Sequence, residues 1–251
     1  MKVLRGIRSC VAFLTVIPIG IGVDGVALAA EFMPLFPLVG ALVGLVGGSF
    51  AWSLEWVLAP QLSSTLGLGL ILLLNGAQHV DGLLDFGDGV MCHGSRSRRL
   101  RVMRDQQTGA GGFTIGLIIM TSSIFAISSL NRSALVSALI VSESASKYSM
   151  VLQAWIGRAA DRGMGGQFIE SMRKHRNSKI LLSTGFLLLV AVPLLNLVGL
   201  VLALVALGVS SLMLVISNRA FGGVTGDVMG ATNEITRLVS VTAILAGRTW
   251  L

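Results

Sequence analysis

Residues 180–217 read ILLSTGFLLLVAVPLLNLVGLVLALVALGVSSLMLVIS, a run without one charged side chain. A helix crosses the hydrocarbon core of a bilayer in about 20 residues. At about 1.5 Å per residue the run is too long for one span. Pro193 and Asn196 mark a turn near its middle, which divides it into two helices. The rest of the chain has the same character. Of its 251 residues 12% are charged and 53% hydrophobic, with a mean hydropathy of +0.82. A soluble domain carries about 25% charged residues, so this chain lacks the charge to coat one. Disorder is excluded by the apolar content and a disulfide scaffold by the two cysteines. The fold class expected is all-α, a polytopic integral membrane helical bundle forming a single domain over residues 1–251.

Working outward, Pro34–Ala59, Leu62–Leu84, Gly111–Leu130, Ser133–Ile156 and Ile235–Leu251 are further spans, giving about seven. Glu143 and Lys147 lie four apart within one of them, hence on one face where they can pair. The apolar stretch Cys10–Val23 is short and broken by Pro18 and Gly20, with no convincing small-residue cleavage site. It is expected to lie at the interface or to re-enter the membrane. Gly40, Gly44 and Gly48 recur every four residues, a face for close helix packing. Such a face also makes homo-oligomeric assembly plausible.

The net charge is +7. Nucleic-acid binding explains it poorly, since Tyr148 is the only tyrosine and no basic-aromatic patch appears. Distribution explains it better. Lys2, Arg5 and Arg8, the arginines of 96–104, the basic residues of 158–179 and Arg219 occupy alternate loops, with Arg132 opposite. By the positive-inside rule the N-terminus and both large polar loops face the cytoplasm, as expected of a multi-pass protein of the cell (inner) membrane. Cys10 and Cys92 then meet a reducing compartment and are expected to be free thiols.

The chemistry concentrates in Asn75-Gly-Ala-Gln-His79-Val-Asp81-Gly-Leu-Leu-Asp85-Phe-Gly-Asp88-Gly. On a helix Asp85 lies about 40° from Asp81, and Asp88 about 20° to the other side. Three carboxylates on one narrow face at the cytoplasmic end of a span repel one another, and each costs about 2.5–3.5 kcal/mol at the bilayer centre. Oxygen-only donors call for magnesium or manganese, and no Cys/His set has zinc spacing. His79 lies about 160° from Asp81 on a helix and is read as structural. Next come Arg96, Arg98, Arg99, Arg101, Arg104 and Asp105, then Gly109. Arginines beside a carboxylate–metal site suit a phosphorylated substrate. Asp105 offers a further ligand, and the following glycines a loop able to approach phosphate. A second polar island, Gly222-Gly-Val-Thr225-Gly-Asp227 with Glu234 beyond it, opens another helix whose free N–H groups attract anions.

Four separated stretches resemble the cobalamin synthase family of adenosylcobinamide-GDP ribazoletransferases. They are Phe13–Pro18 with Phe36–Gly40, His79–Gly89, Met103–Asp105 with Thr108–Gly109, and Gly222–Gly230, in order along nearly the whole chain. The resemblance implies a magnesium-dependent membrane enzyme. It would join adenosylcobinamide-GDP to α-ribazole or its 5′-phosphate and release GMP. Asp81, Asp85 and Asp88 would hold the metal, one of them serving as base for the attacking hydroxyl. Asp105 and Asp227 would be supporting ligands, and Arg96, Arg98, Arg104, Gly109 and Thr225 substrate contacts. Two rivals share features. Membrane prenyltransferases use the Asp-x-x-x-Asp spacing, but carry a dense second aspartate motif where this chain has Asp227 and Glu234. CDP-alcohol phosphotransferases begin their signature Asp-Gly, but follow it with an Ala-Arg pair missing here. A coupled transporter would place carboxylates at midplane rather than beside arginines at one edge.

Overall fold

The structure, a computed structural model, describes residues 2–20 and 24–247. Eleven helices make up the described chain: α1 (Lys2–Leu14), α2 (Gly25–Glu31), α3 (Phe36–Leu54), α4 (Pro60–Leu74), α5 (Gln78–Met91), α6 (Arg96–Val102), α7 (Ala110–Ser128), α8 (Arg132–Ile156), α9 (Met164–Arg173), α10 (Arg176–Ala220) and α11 (Gly226–Gly247). A 3₁₀ turn, Met33–Leu35, leads into α3. The all-α expectation holds.

α8 is the hub, packed against α3, α10 and α11. It is buried all round from Val141 to Ala154, as the innermost helix of a bundle must be. α3 reaches it through the expected glycine face. A methyl group on Gly40 would overlap the Glu143 carbonyl, and one on Gly44 the Leu139 carbonyl. α10 shows the opposite pattern and turns large apolar side chains outward, with Leu181 71% exposed and Leu197 74% exposed. An apolar exterior around a polar interior is the signature of a membrane protein, since lipid and not water is the outer solvent.

α3 with its 3₁₀ turn, α7 and α10 are long and apolar enough to cross a membrane. α4 and α5 make a fourth only when taken as one broken span. The expected count of seven is not reproduced by that criterion. α8 and α11 match expected spans in position but carry buried charge, and the 45 residues of α10 are two helices joined across a kink. Within α10 the anticipated break is present. Asn196 takes φ 51° and ψ −128°, outside helical space, three residues after Pro193. The expected span Leu62–Leu84 is not straight. The chain turns by 93° between α4 and α5, where Gly76 and Ala77 adopt positive φ of 61° and 55°. The last helix starts at Gly226 rather than Ile235; residues 248–251 of the expected span lie outside the described residues, as do 21–23 of the N-terminal stretch.

The bundle core is ionic as well as apolar. Glu143, Lys147, Glu234 and Arg237 are all 0% exposed. Lys147 Nζ lies 3.5 Å from Glu143 and donates to Asn233 Oδ1 at 2.9 Å, while Arg237 pairs with both Glu143 and Glu234. Two anions and two cations cancel, which is the condition for burying any of them. The pairing of Glu143 with Lys147 follows from their spacing. The second pair, on α11, was not expected, and it takes Glu234 out of the polar island that begins at Gly222.

Candidate active site

The turn at Gly76–Ala77 starts α5 afresh, so Asp81 falls in its first turn, where the helix dipole favours a carboxylate. All three aspartates of the cluster lie on this helix, as the spacing requires, but on a separate bent helix rather than at the end of a span. α5 then packs backbone to backbone on α11. A Cβ on Gly82 would stand 3.0 Å from Asp227 Cα, and one on Gly230 3.2 Å from His79 Cα. These glycines bring the two carboxylate-bearing segments together. Asp81 and Asp227 line one cavity of about 150 Å³, with His79 and Gln78 beside them. Asp85, half-buried, feels the charges of Asp81, Asp227 and Asp88.

Asp161, between α8 and α9, went unnoticed in the sequence. Its charge acts on Asp227 together with that of Asp81. A short parallel pairing brings it there: Val224 N–H donates to Arg158 O at 2.8 Å and Ala160 N–H to Val224 O at 3.0 Å. Asp161 accepts from Arg104 Nη2 at 2.8 Å and from Gly163 N–H at 2.9 Å. Two backbone bonds of this kind cannot be read from spacing.

The other expected site residues divide. Asp88 accepts from Gly109 N–H at 2.7 Å and from Gly112 N–H at 2.8 Å, so it caps α7 from a neighbouring helix where Gly109 has no side chain to do so. Gly109 is thereby fixed against the acidic cluster, and a Cβ there would lie 2.6 Å from Asp88 Oδ1. Thr225 Oγ1 accepts from Val228 N–H and donates to Asp227 Oδ2, each over 3.2 Å, capping α11 and orienting the aspartate at once. Asp105 is exposed and accepts from Gln107 N–H at 3.2 Å within its own turn; it is not among the charges acting on Asp85. Arg104 joins the cluster through Asp161. Arg99 donates to Val90 O at 2.7 Å at the end of α5, a capping role. Arg96 lies in a separate cleft with Arg99 and Arg219, and Arg98 packs beside Gly94.

Among the described residues no group of three or more His, Cys, Asp or Glu side chains is arranged to hold a metal ion. The donors do fit magnesium in kind. Asp81, Asp85 and Asp227 make no ion pair among the described residues. Magnesium takes one or two carboxylates and completes its shell with water and substrate phosphate oxygens.

The family model described as cobalamin-5-phosphate synthase matches residues 6–245. A relative from Methanocella arvoryzae, named adenosylcobinamide-GDP ribazoletransferase, is 32% identical over the whole of this chain and 98% of its own length. Relatives of the same name come from Halorubrum lacusprofundi (31% identical, 96% of each chain) and Methanococcoides burtonii (29% identical, 94% of this chain and 90% of the relative). No solved structure gives a significant match.

Proposed function

The chain belongs to the cobalamin-5-phosphate synthase family, and from that premise we propose that it is an adenosylcobinamide-GDP ribazoletransferase. It transfers the adenosylcobinamide-phosphate group of adenosylcobinamide-GDP to α-ribazole or α-ribazole 5′-phosphate and releases GMP. The observation that carries this reading is the convergence of Asp81 on α5 and Asp227 on α11 at one cavity, with Asp85 and Asp161 in electrostatic range. It is a place built to meet positive charge.

In the reaction the ribazole hydroxyl oxygen attacks the phosphorus that carries the cobinamide arm. One P–O bond forms and the P–O bond to GMP breaks, GMP leaving with the electron pair. A carboxylate of the Asp81/Asp85 pair accepts the hydroxyl proton. One or two of Asp81, Asp85 and Asp227 would hold magnesium, and the ion would offset the diphosphate charge. Asp88 keeps α7 and its glycine loop in place behind the site, and Thr225 aims Asp227. Arg104, joined to the acidic cluster through Asp161, is the arginine that would meet phosphate. The asymmetric distribution of basic residues supports insertion in the cell membrane with this site on the cytoplasmic side.

The test is GMP release by detergent-purified, chelator-treated protein given adenosylcobinamide-GDP and either form of ribazole. Release on adding magnesium is expected. No GMP with either ribazole, with or without magnesium, overturns the reading.

A further inference from the structure

The cavity beside Asp81 and Asp227 is acidic at one side only. Its other walls are aromatic and thioether: Phe13 from α1, Phe36 from α3 and Phe168 from α9, with Met150, Met164 and Met229. The three rings, remote in sequence, form a cluster with centroids 4.9 Å apart for Phe13 and Phe168, 5.8 Å for Phe36 and Phe168, and 6.0 Å for Phe13 and Phe36. Faces and edges of this kind favour another flat aromatic, and methionines adapt to its outline. One buried polar group within this wall has unspent capacity: His79, 4% exposed, whose Nδ1 has no hydrogen-bond partner. A buried polar atom left unpaired is costly, and at this wall the Nδ1 of His79 is available to a bound molecule. Gln78, also at the wall, donates an amide N–H to the Phe13 carbonyl at 3.0 Å.

We propose that this cavity is the base subsite for the acceptor nucleoside, holding the planar benzimidazole-type base of ribazole between the Phe13, Phe36 and Phe168 cluster and the methionines, with His79 as its polar contact. The inference rests on the ribazoletransferase reading. At about 150 Å³ the cavity is far too small for a corrinoid; an apolar cavity of about that volume takes a benzene-sized guest, and the flexible methionines give room for a fused second ring. Guanine carries donors and acceptors along both edges and needs several partners; the three rings and the methionines of this wall supply none, and His79 and Gln78 are its neutral polar groups. An apolar bicycle with one unsubstituted ring nitrogen matches it. Seated there, the nucleoside directs its sugar toward Asp81 and Asp227, the side on which its hydroxyl must react.

Two measurements test the subsite, with Phe168→Leu and Met164→Gln as variants. Met164 is 57% exposed at the cavity rim, so its replacement leaves the fold intact even if the loss of Phe168 does not. In GMP-release kinetics each variant is expected to raise KM for α-ribazole by about three- to tenfold, with KM for adenosylcobinamide-GDP within about twofold of wild type. A rise in KM for adenosylcobinamide-GDP instead, or no change in either, overturns the subsite while leaving the transferase reading standing. The second measurement needs no turnover. Free dimethylbenzimidazole is titrated calorimetrically into purified wild type and both variants. Saturable binding to wild type, weakened in the variants, is expected even from a protein that releases no GMP. Absence of binding, or equal binding by all three, overturns the subsite independently of the reaction.

Discussion

Gly82 meets the backbone of Asp227 so closely that a Cβ on it would stand 3.0 Å from both Asp227 Cα and Asp227 O. This crossing of α5 and α11 sets how near the two acidic segments come. Gly82→Ala must push the helices apart or strain them, at about 1–3 kcal/mol, and GMP release should fall with the loss of Tm. Gly185 and Gly208 on α10 face open space. There an alanine should leave Tm unchanged or raise it, since alanine is favoured over glycine in a helix by about 1 kcal/mol. Equal Tm shifts for Gly82→Ala and Gly185→Ala would contradict the close crossing.

Asp88 and Asp81 share a helix but not a task. Asp88→Ala leaves Gly109 N–H and Gly112 N–H without their acceptors, at about 1–2 kcal/mol. Its Tm should drop while the magnesium concentration giving half-maximal GMP release stays within a factor of about two. A large shift in that midpoint would return Asp88 to the metal.

The buried ionic core separates from surface pairing by magnitude. Arg237→Leu leaves Glu143 and Glu234 inside the bundle with Lys147 alone to offset them, a loss of about 3–5 kcal/mol. Lys2→Ala breaks only the exposed pair with Glu31, worth about 0–1 kcal/mol. Thermal unfolding in detergent should rank the two variants in that order by a wide margin, and comparable Tm values would refute the buried network.

Both cysteines are free, and they should differ in reactivity. Cys10 is fully buried, its Sγ directed to the Phe32 carbonyl at 3.3 Å, and burial pushes the thiol up to about 12. Thiolate is the reacting form, so near neutral pH Cys10 is protonated as well as covered. Maleimide should label half-buried Cys92 first, and Cys92→Ser should abolish the fast phase. Fast labelling that survives in Cys92→Ser would mean that α1 does not pack as described.

Membrane character was plain in the uncharged run 180–217, because composition alone decides it, and the break at Asn196 followed from Pro193 and a polar residue inside that run. The 93° turn before α5 was not foreseen, although Asn75-Gly76 is a turn signal, because the apolar run on its N-terminal side masked it. The acidic segments were legible as three aspartates in eight residues and a glycine-flanked Asp227. Their division into site and cap was not, since the N–H groups that Asp88 accepts from lie more than twenty residues away on another helix. Asp161 was missed for the same reason. His79 was read as a structural residue from its place opposite Asp81 on the helical wheel. Packing against Gly230 also brings it to the cavity wall, a long-range contact that periodicity within one helix does not contain.

The most direct measurement is GMP release by Asp81→Asn and Asp85→Asn, each shown by thermal unfolding to keep wild-type stability in detergent. Each substitution removes one negative charge without removing volume. The account predicts a loss of about a hundredfold or more at saturating magnesium and both substrates. Wild-type turnover by either folded variant would contradict it.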